Sequence, residues 1–229
     1  MTYDYKQFYR RKLPHRHSPG TTLFVTFRLK DSIPIKVIEK WKDDRRFLDQ
    51  ECAKLPSADP NTSIIVQQLH EGFRRRWFRK FEDELHLEKG PVWLRDSRIA
   101  KIVANSLHHL NGKGYDLHAF CIMCNHVHSL FTPFLDEQSL IEVLGGPPCF
   151  ESEDPTLGAI MKSLKGYTAR EANRVLGRRG QFWEPESYDH EVRNAQEFFR
   201  IRRYILNNPV KAGLVTDWRD WRWSWAENI

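Results

Sequence analysis

Two histidines separated by one apolar residue, His126 and His128, lie in the apolar segment 120–131. Successive side chains of a β-strand point to opposite faces, so a strand here would present both imidazoles on the same face. Two imidazoles that close together are able to hold one metal ion, and a hydrogen-bonded or solvated pair has the same spacing. The spacing predicts half of a metal site, with a metal-free structural pair as the alternative.

A tyrosine and an amide form a second candidate group later in the chain. Tyr204 and Asn208 are four residues apart near the end of an amphipathic segment, so they share one face of a helix. A phenol is a potential nucleophile, and an amide oxygen is a potential metal ligand. We expect this helix to face the histidine strand, which would bring the nucleophile and the ligands together.

These motifs resemble those of the single-tyrosine HUH transposases, and the branch that fits best is the REP-associated tyrosine transposases. The resemblance depends first on the segments 123–128 and 204–214, which read MCNHVH and YILNNPVKAGL. It covers most of the chain and includes the strand at 24–28 and the segment 180–189. The chain departs from the family pattern at Cys124, where a proline is usual.

The resemblance implies that Tyr204 attacks a DNA phosphodiester and forms a 5′-phosphotyrosine, with a free 3′ hydroxyl on the other fragment. Such a covalent link retains the energy of the broken bond, so a second strand end can reverse the step without ATP. The implied substrate is single-stranded DNA with a hairpin, of the repetitive extragenic palindrome type. The implied activity is that of a metal-dependent single-strand endonuclease and strand transferase.

The resemblance also implies that His126, His128 and Asn208 hold the divalent ion of this reaction. A Lewis acid on a non-bridging oxygen offsets the negative charge that gathers at phosphorus in the transition state. Two imidazoles and one amide leave positions open for phosphate oxygens, and this set fits Mg²⁺ or Mn²⁺. Zinc would bind the histidines too, so the sequence leaves the identity of the ion open.

A basic N-terminus, a cationic helix and one tryptophan supply further candidates for DNA contact. Cationic side chains contact phosphates, tyrosine hydroxyls add to such contacts, and tryptophan rings stack on unpaired bases. A solvated surface and a packed core are the plainer interpretations of the same residues. Arg200 lies one turn before Tyr204, where it would lower the pKa of the phenol or hold a phosphate. The candidates are Arg10, Arg11, Lys162, Lys165, Tyr167, Arg170, Trp183 and Arg200.

Tyr167 and Tyr188 are rival nucleophiles, because the first lies in a basic segment and the second in a motif-like one. The residues four positions later are Glu171 and Val192, so only Tyr167 has a partner able to bind a metal. A free phenol has a pKa near 10 and needs activation at neutral pH. The sequence shows no clear general base for that task.

The composition suits one large domain with a real core, since 40% of the 229 residues are hydrophobic and 13% are aromatic. A net charge of +6 suits a polyanionic partner. No segment approaches the roughly 18 apolar residues of a membrane span, and residues 1–19 lack the apolar part of a signal peptide. We expect a cytoplasmic, nucleoid-associated protein. Cys121 and Cys124 have the spacing of a zinc or redox pair, but no second pair exists, which favours reduced structural thiols.

The hydrophobic periodicity indicates an α+β fold. Its order suits a sandwich with helices on one face of an antiparallel sheet, and the resemblance makes this the ferredoxin-like fold of HUH endonucleases. We expect one catalytic domain over 1–229, with a helical insertion at about 38–90 and an aromatic tail at about 216–229. The predicted strands are 22–29, 117–123, 126–131 and 188–192, and the predicted helices are 34–54, 62–87, 97–111, 156–176 and 195–208.

Other functions stay open at this point. A catalytically silent protein that binds DNA hairpins would keep the fold and carry a vestigial site. Nucleotide chemistry by a histidine-triad protein would require a third histidine at the next alternate position, where the chain has Leu130. The REP-associated branch is expected to act as a monomer, whereas insertion-sequence relatives exchange the tyrosine helix in a dimer. We expect a monomer.

Overall fold

The computed structural model describes residues 20–56, 61–134 and 155–227. Five strands form one antiparallel sheet in the order β4-β1-β3-β2-β5. The strands are β1 Leu23–Leu29, β2 Tyr115–Ile122, β3 His126–Pro133, β4 Trp183–Glu191 and β5 Ser224–Ala226. The helices are α1 Ile35–Ala53, α2 Thr62–His86, α3 Ser97–Leu110, α4 Pro155–Val175, α5 Ala195–Leu206 and α6 Asn208–Lys211.

The first four strands have ferredoxin-like topology. β1 is followed by helices and then by the β2–β3 hairpin, after which α4 leads to β4. β1 lies between β3 and β4, and β2 pairs with β3 on the other side. This strand order, with a helix in each crossover, is that of the βαββαβ fold. The predicted α+β, ferredoxin-like class is confirmed.

One face of the sheet is apolar and is covered by α3 and α4. Alternate residues of β1, among them Val25 and Phe27, point to this face and are fully buried. Val103 and Leu107 of α3 pack against them. The Asp96 side chain caps the first turn of α3 by accepting a hydrogen bond from the backbone of Arg98. Burial of apolar side chains therefore stabilises the packing of α3 and α4 on this face of the sheet.

The opposite face carries the histidines and is covered by α5 and part of α2. Ile201 and Ile205 of α5 pack on Phe24 and Leu130, whose side chains point to this face. The expectation of helices on one face only is therefore corrected, because a second helical layer lies here. The physical reason is that Phe24 of β1 and Leu130 of the central strand β3 are apolar side chains on this face, and they need cover from water just as those on the first face do.

The helical insertion is a hairpin of α1 and α2 between β1 and α3. No residue of α1 is buried. The two ends of the insertion meet at Gly90, where a Cβ atom would lie 2.3 Å from the backbone oxygen of Asp31, so this approach requires glycine. Of the described helices, none is long and apolar enough to cross a bilayer. The buried residues of α2 are His70, Phe73, Trp77, Glu82 and Leu85.

The structure differs from the predicted elements in three places. β4 starts earlier than predicted, at Trp183, and the aromatic tail forms the short strand β5, which pairs with β2 through Trp225. Three residues are too few for a periodic signal. α5 ends at Leu206 and α6 starts at Asn208, because Pro209 lacks the N–H that would continue the first helix.

Candidate active site

β3 places both histidines on the face that α5 covers. In the register of the sheet, His128 lies opposite Thr26 of β1, and His126 lies opposite Arg28. His126 and His128 are 1% and 0% exposed. Their Nε2 atoms are 3.2 Å apart. The alternation of a β-strand thus brings two ligand atoms within reach of one ion, as the spacing predicts.

Two contacts on the far side of the rings fix their orientation. Asn125 donates from Nδ2 to the backbone oxygen of Leu85 at 2.8 Å, so its Oδ1, 2.7 Å from His126 Nδ1, is the acceptor for that ring. Thr26 Oγ1 lies 2.8 Å from His128 Nδ1. An imidazole that donates from Nδ1 has its lone pair on Nε2. Such outer contacts hold the rings of metal-binding histidines in most metalloproteins.

Tyr204 reaches the histidines from α5. Its ring centroid lies 5.5 Å from that of His128, and its hydroxyl donates to Glu82 Oε2 at 2.5 Å. Asn194 caps the N-terminus of α5, where its side chain accepts a hydrogen bond from the backbone of Glu197 at 2.9 Å. The predicted meeting of the tyrosine helix and the histidine strand is therefore present in the structure.

Glu82 of α2 is the residue that the sequence analysis missed. Its Oε2 lies 3.1 Å from His128 Nε2, and its side chain is almost fully buried. One ligand atom from each of Glu82, His126 and His128 lies within 4.8 Å of the others. A sequence signal exists, because Glu82 lies four residues after Phe78 and three before Leu85, on the apolar stripe of α2.

Asn208 lies at the edge of this cluster. It is 1% exposed, and its Oδ1 is 2.9 Å from Nε2 of His86, another residue of α2. Its Nδ2 atom is buried and makes no hydrogen bond among the described residues. In this arrangement the amide oxygen, the atom that would bind a metal, contacts an imidazole of the insertion.

α2 and the tyrosine helix run side by side in parallel. Three contacts join residues with the same separation of 122 in sequence. Two α-helices that advance by the same rise per residue keep such a constant offset only when they are parallel and in register. Of the partners, Tyr204 lies within α5, while Arg193 and Asn208 lie just before and just after that helix, so α2 runs parallel to the segment 193–208. The pairs are Glu71–Arg193, Glu82–Tyr204 and His86–Asn208.

The electrostatics of the cluster suit a cation. Burial alone would raise the pKa of Glu82, but the imidazoles, His128 first, lower it below its usual range. Burial, and then the neighbouring His128, lowers the pKa of His126 to about 3. Burial and the Glu82 carboxylate raise the pKa of Tyr204. At neutral pH the carboxylate is ionised, His126 is neutral and the phenol keeps its proton. Deprotonated carboxylates and neutral imidazoles are the forms that bind metals.

Comparison with known proteins gives a structural likeness. The chain is similar in structure to a REP-associated tyrosine transposase. That protein was solved bound to a REP hairpin, and the two share 14% sequence identity with a TM-score of 0.42 over 90% of this chain and 76% of the other. It belongs to the branch that the motifs of this chain resemble. No protein-family model and no curated protein match the chain.

The further candidates for DNA contact do not lie together. Lys162, Tyr167 and Arg170 are exposed on α4, on the sheet face opposite the histidines. Arg200 is exposed on α5 and donates to Glu197 at 2.7 Å. Arg10 and Arg11 lie outside the described residues.

Two of these candidates are engaged inside the fold. Lys165 donates from Nζ to three backbone oxygens of β4, the nearest at 3.0 Å, and burial lowers its pKa to about 8. Trp183 is 3% exposed and donates to Thr168 at 2.9 Å. A ring buried in this way has no open face for a base, so the structure gives Trp183 a packing role.

The rival tyrosines and the cysteines differ from Tyr204 in their surroundings. Tyr188 packs its ring 4.3 Å from that of Phe78, and burial raises its pKa to about 12. Tyr167 is 48% exposed and lies on α4, which packs on the other face of the sheet from the histidines. Cys121 and Cys124 are buried free thiols.

Proposed function

We propose that this chain is a metal-dependent single-stranded DNA endonuclease and strand transferase whose nucleophile is Tyr204. The observation that carries the proposal is a chain of close contacts: the Tyr204 hydroxyl and His128 Nε2 both contact Glu82 Oε2, at 2.5 and 3.1 Å, and His126 Nε2 lies 3.2 Å from that of His128. A phenol beside a metal site is the arrangement that phosphodiester cleavage through a phosphotyrosine requires. Taken with the motifs at 123–128 and 204–214, this geometry favours DNA as the substrate.

The donor atoms fit a divalent ion. Ligands held about 2.1 Å from one ion at right angles lie about 3.0 Å from each other. The Nε2 atoms of His126 and His128 are 3.2 Å apart, which matches that spacing. Asn208 is the third ligand that the family motif suggests. A bound Mg²⁺ or Mn²⁺ would supply Lewis acidity at a phosphate oxygen.

The protein groups around the ion have separate tasks in this proposal. His126 and His128 hold it, while Asn125 and Thr26 keep their rings in place. The Tyr204 hydroxyl donates to Glu82 Oε2, which orients the phenol oxygen toward the imidazoles. A nucleophile that is already oriented toward the metal site contributes to catalysis, because the entropy cost of orienting it does not have to be met at the reaction step.

The family motifs and the site together suggest a substrate and an oligomeric state. We infer that the substrate is a DNA strand with a hairpin, the form that the family motifs imply. The protein would act on such hairpins in repetitive chromosomal elements, in the cytoplasm. Tyr204 is the partly exposed member of the cluster, so the strand must approach past this ring or displace part of α2. Because one chain supplies the histidines and the tyrosine, a monomer is sufficient for this chemistry.

Cleavage of labelled hairpin DNA tests the proposal. With Mg²⁺ or Mn²⁺, a strand labelled at its 3′ end should move with the protein on a denaturing gel, while a 5′ label should appear in a shorter free strand. EDTA and Tyr204→Phe should abolish both products. Tyr188→Phe and Tyr167→Phe are matched controls and should retain them. Tight hairpin binding without any adduct under either metal would instead support a silent DNA-binding protein.

A further inference from the structure

We propose that Glu82, a residue of the inserted helix α2, is the third protein ligand of the divalent ion, in the place that the family motif gives to Asn208. The inference rests on the proposed function, since it requires that the site hold an ion. It assigns a role in the metal site to the helical insertion.

The distances favour Glu82 over the amide. Glu82 Oε2 lies 3.1 Å from His128 Nε2, close to the 3.2 Å between the two imidazole nitrogens. All three donor atoms lie within 4.8 Å of one another, so they can share one ion without moving far. The Oδ1 atom of Asn208 lies instead 2.9 Å from His86 Nε2, so this amide oxygen already has a partner.

The charge of Glu82 also favours a role as a metal ligand. A buried carboxylate costs several kcal/mol of desolvation unless a cation or several hydrogen bonds compensate for it. Within the described residues, Glu82 has no ion pair with a Lys or Arg and contacts His128 and Tyr204 instead. Buried acidic residues are paired with a cation or bind a metal. His128 would balance this charge only in its protonated form, whereas a divalent ion between the carboxylate and the imidazoles would balance it with both rings neutral.

The position of α2 is fixed well enough to hold a ligand. The Asn125 side chain, next to His126, donates to the backbone of Leu85 in α2. Phe78, one turn before Glu82, packs its ring against Phe24 of β1 at 5.7 Å. These contacts lie on either side of Glu82 along the helix, so its carboxylate is held over the histidines.

The donor set also indicates the class of ion. Two imidazoles and one carboxylate leave open positions for other oxygen ligands and suit Mn²⁺ or Fe²⁺ better than Mg²⁺, which prefers oxygen ligands. We therefore expect Mn²⁺ to bind more tightly than Mg²⁺.

Mn²⁺ binding to the full chain tests the inference without DNA or turnover. The free-ion signal in electron paramagnetic resonance gives the affinity for the unmodified protein and for Glu82→Gln, Asn208→Ala, His126→Ala and Glu84→Gln. Glu82→Gln keeps the shape of the side chain, and Glu84→Gln makes the same change elsewhere on α2. Circular dichroism checks that each variant folds. We expect Glu82→Gln and His126→Ala to weaken Mn²⁺ binding by about 10- to 100-fold. Asn208→Ala and Glu84→Gln should change it by less than about threefold.

The outcomes separate the two proposals. Retained affinity in Glu82→Gln together with a large loss in Asn208→Ala would overturn this inference alone and return the ligand role to the amide. That result would mean that the amide turns by 180°, which exchanges its oxygen and nitrogen. An unmodified protein that binds no Mn²⁺ would overturn the metal site itself, and with it the proposed function. If Glu82→Gln misfolds, Glu82→Asp keeps the charge and should give an intermediate affinity.

Discussion

The two faces of the sheet are made by the same strands but are held together differently. On the face covered by α3 and α4, side chains such as Phe27 and Val127 are apolar, completely buried and free of polar partners. On the face covered by α5 and α2, His126, His128 and Glu82 are buried to the same degree but depend on directional contacts. Burial alone therefore does not distinguish a core from a site.

The difference teaches which property each substitution should change. Apolar burial is non-directional and contributes to stability in proportion to area. A buried polar contact contributes only about 0.5–1.5 kcal/mol of net stability, but it is directional, and removal of one partner leaves the other unsatisfied at a cost of about 1–3 kcal/mol. Substitutions on the apolar face should change the free energy of unfolding, while those on the site face should change metal affinity and adduct formation.

The largest effect on stability is expected for Phe27→Ala. Phe27 is fully buried and packs its ring 4.9 Å from that of Trp183. Loss of a buried aromatic side chain costs about 3–5 kcal/mol in free energy of unfolding. Urea denaturation measures this loss, and the Mn²⁺ affinity of the remaining folded protein should be unchanged. A lowered affinity in folded Phe27→Ala would show that the two faces are coupled.

Phe78→Ala should weaken the docking of α2 on the site face. Its ring contacts Phe24, Tyr188 and Tyr204, with the nearest centroid at 4.3 Å. We expect a loss of about 2 kcal/mol in stability, and a lower Mn²⁺ affinity because Glu82 is then less well held. Phe81→Ala is the matched control, since Phe81 packs on Trp41 between the two helices of the insertion. Equal loss of Mn²⁺ affinity in both variants would contradict a specific role of α2 docking.

Thr26→Val should weaken metal binding and cost about 1–3 kcal/mol in stability, because it leaves the buried Nδ1 of His128 without a partner. The substitution keeps the shape of the side chain and removes the oxygen that contacts His128 Nδ1 at 2.8 Å. Loss of such an outer contact typically weakens metal binding by about tenfold. Ser129→Ala is the control from the apolar face, because Ser129 donates to the backbone of Val25. If isothermal titration with Mn²⁺ gives the same affinity for both variants, the contact from Thr26 does not orient the ring.

Asn194→Ala is expected to have the smallest effect. Asn194 caps α5 by accepting a hydrogen bond from the backbone of Glu197, three turns before Tyr204. Loss of an N-cap side chain costs about 1 kcal/mol. Asn194→Ser keeps a capping oxygen and should recover most of it in urea denaturation. Adduct formation by the folded variant should be unchanged, and a large decrease would mean that the site depends on the helix start.

The periodicity of apolar residues in the sequence was sufficient to predict most of the strands and helices on both faces of the sheet. The period of two around His126 and His128 predicted their shared face, and the helical period predicted α1 and α2 to within about two residues. The tail strand was missed because Trp225 lies in a run of only three paired residues. DNA contact and core packing were both possible for Trp183, because the sequence does not show whether a ring on an edge strand points into the core or to solvent. The structure places it in the core.

The identity of Glu82 as a site residue could not be predicted in the same way. Its place depends on how an inserted helix docks on α5, and no local pattern specifies that docking. An acidic residue on an apolar stripe was the available signal, and it was hidden among the charged residues of α2. His86 was missed for the same reason, since its contact with Asn208 joins distant parts of the chain.

The most direct test of the central claim is to locate the DNA on the protein. After incubation with Mn²⁺ and hairpin DNA, nuclease trimming and trypsin digestion would release the peptide 204–211, which contains one tyrosine. We predict a nucleotide adduct on Tyr204 in this peptide by mass spectrometry. An adduct on the tryptic peptide that contains Tyr167 or Tyr188, with 204–211 unmodified, would contradict the assignment of Tyr204 as the nucleophile.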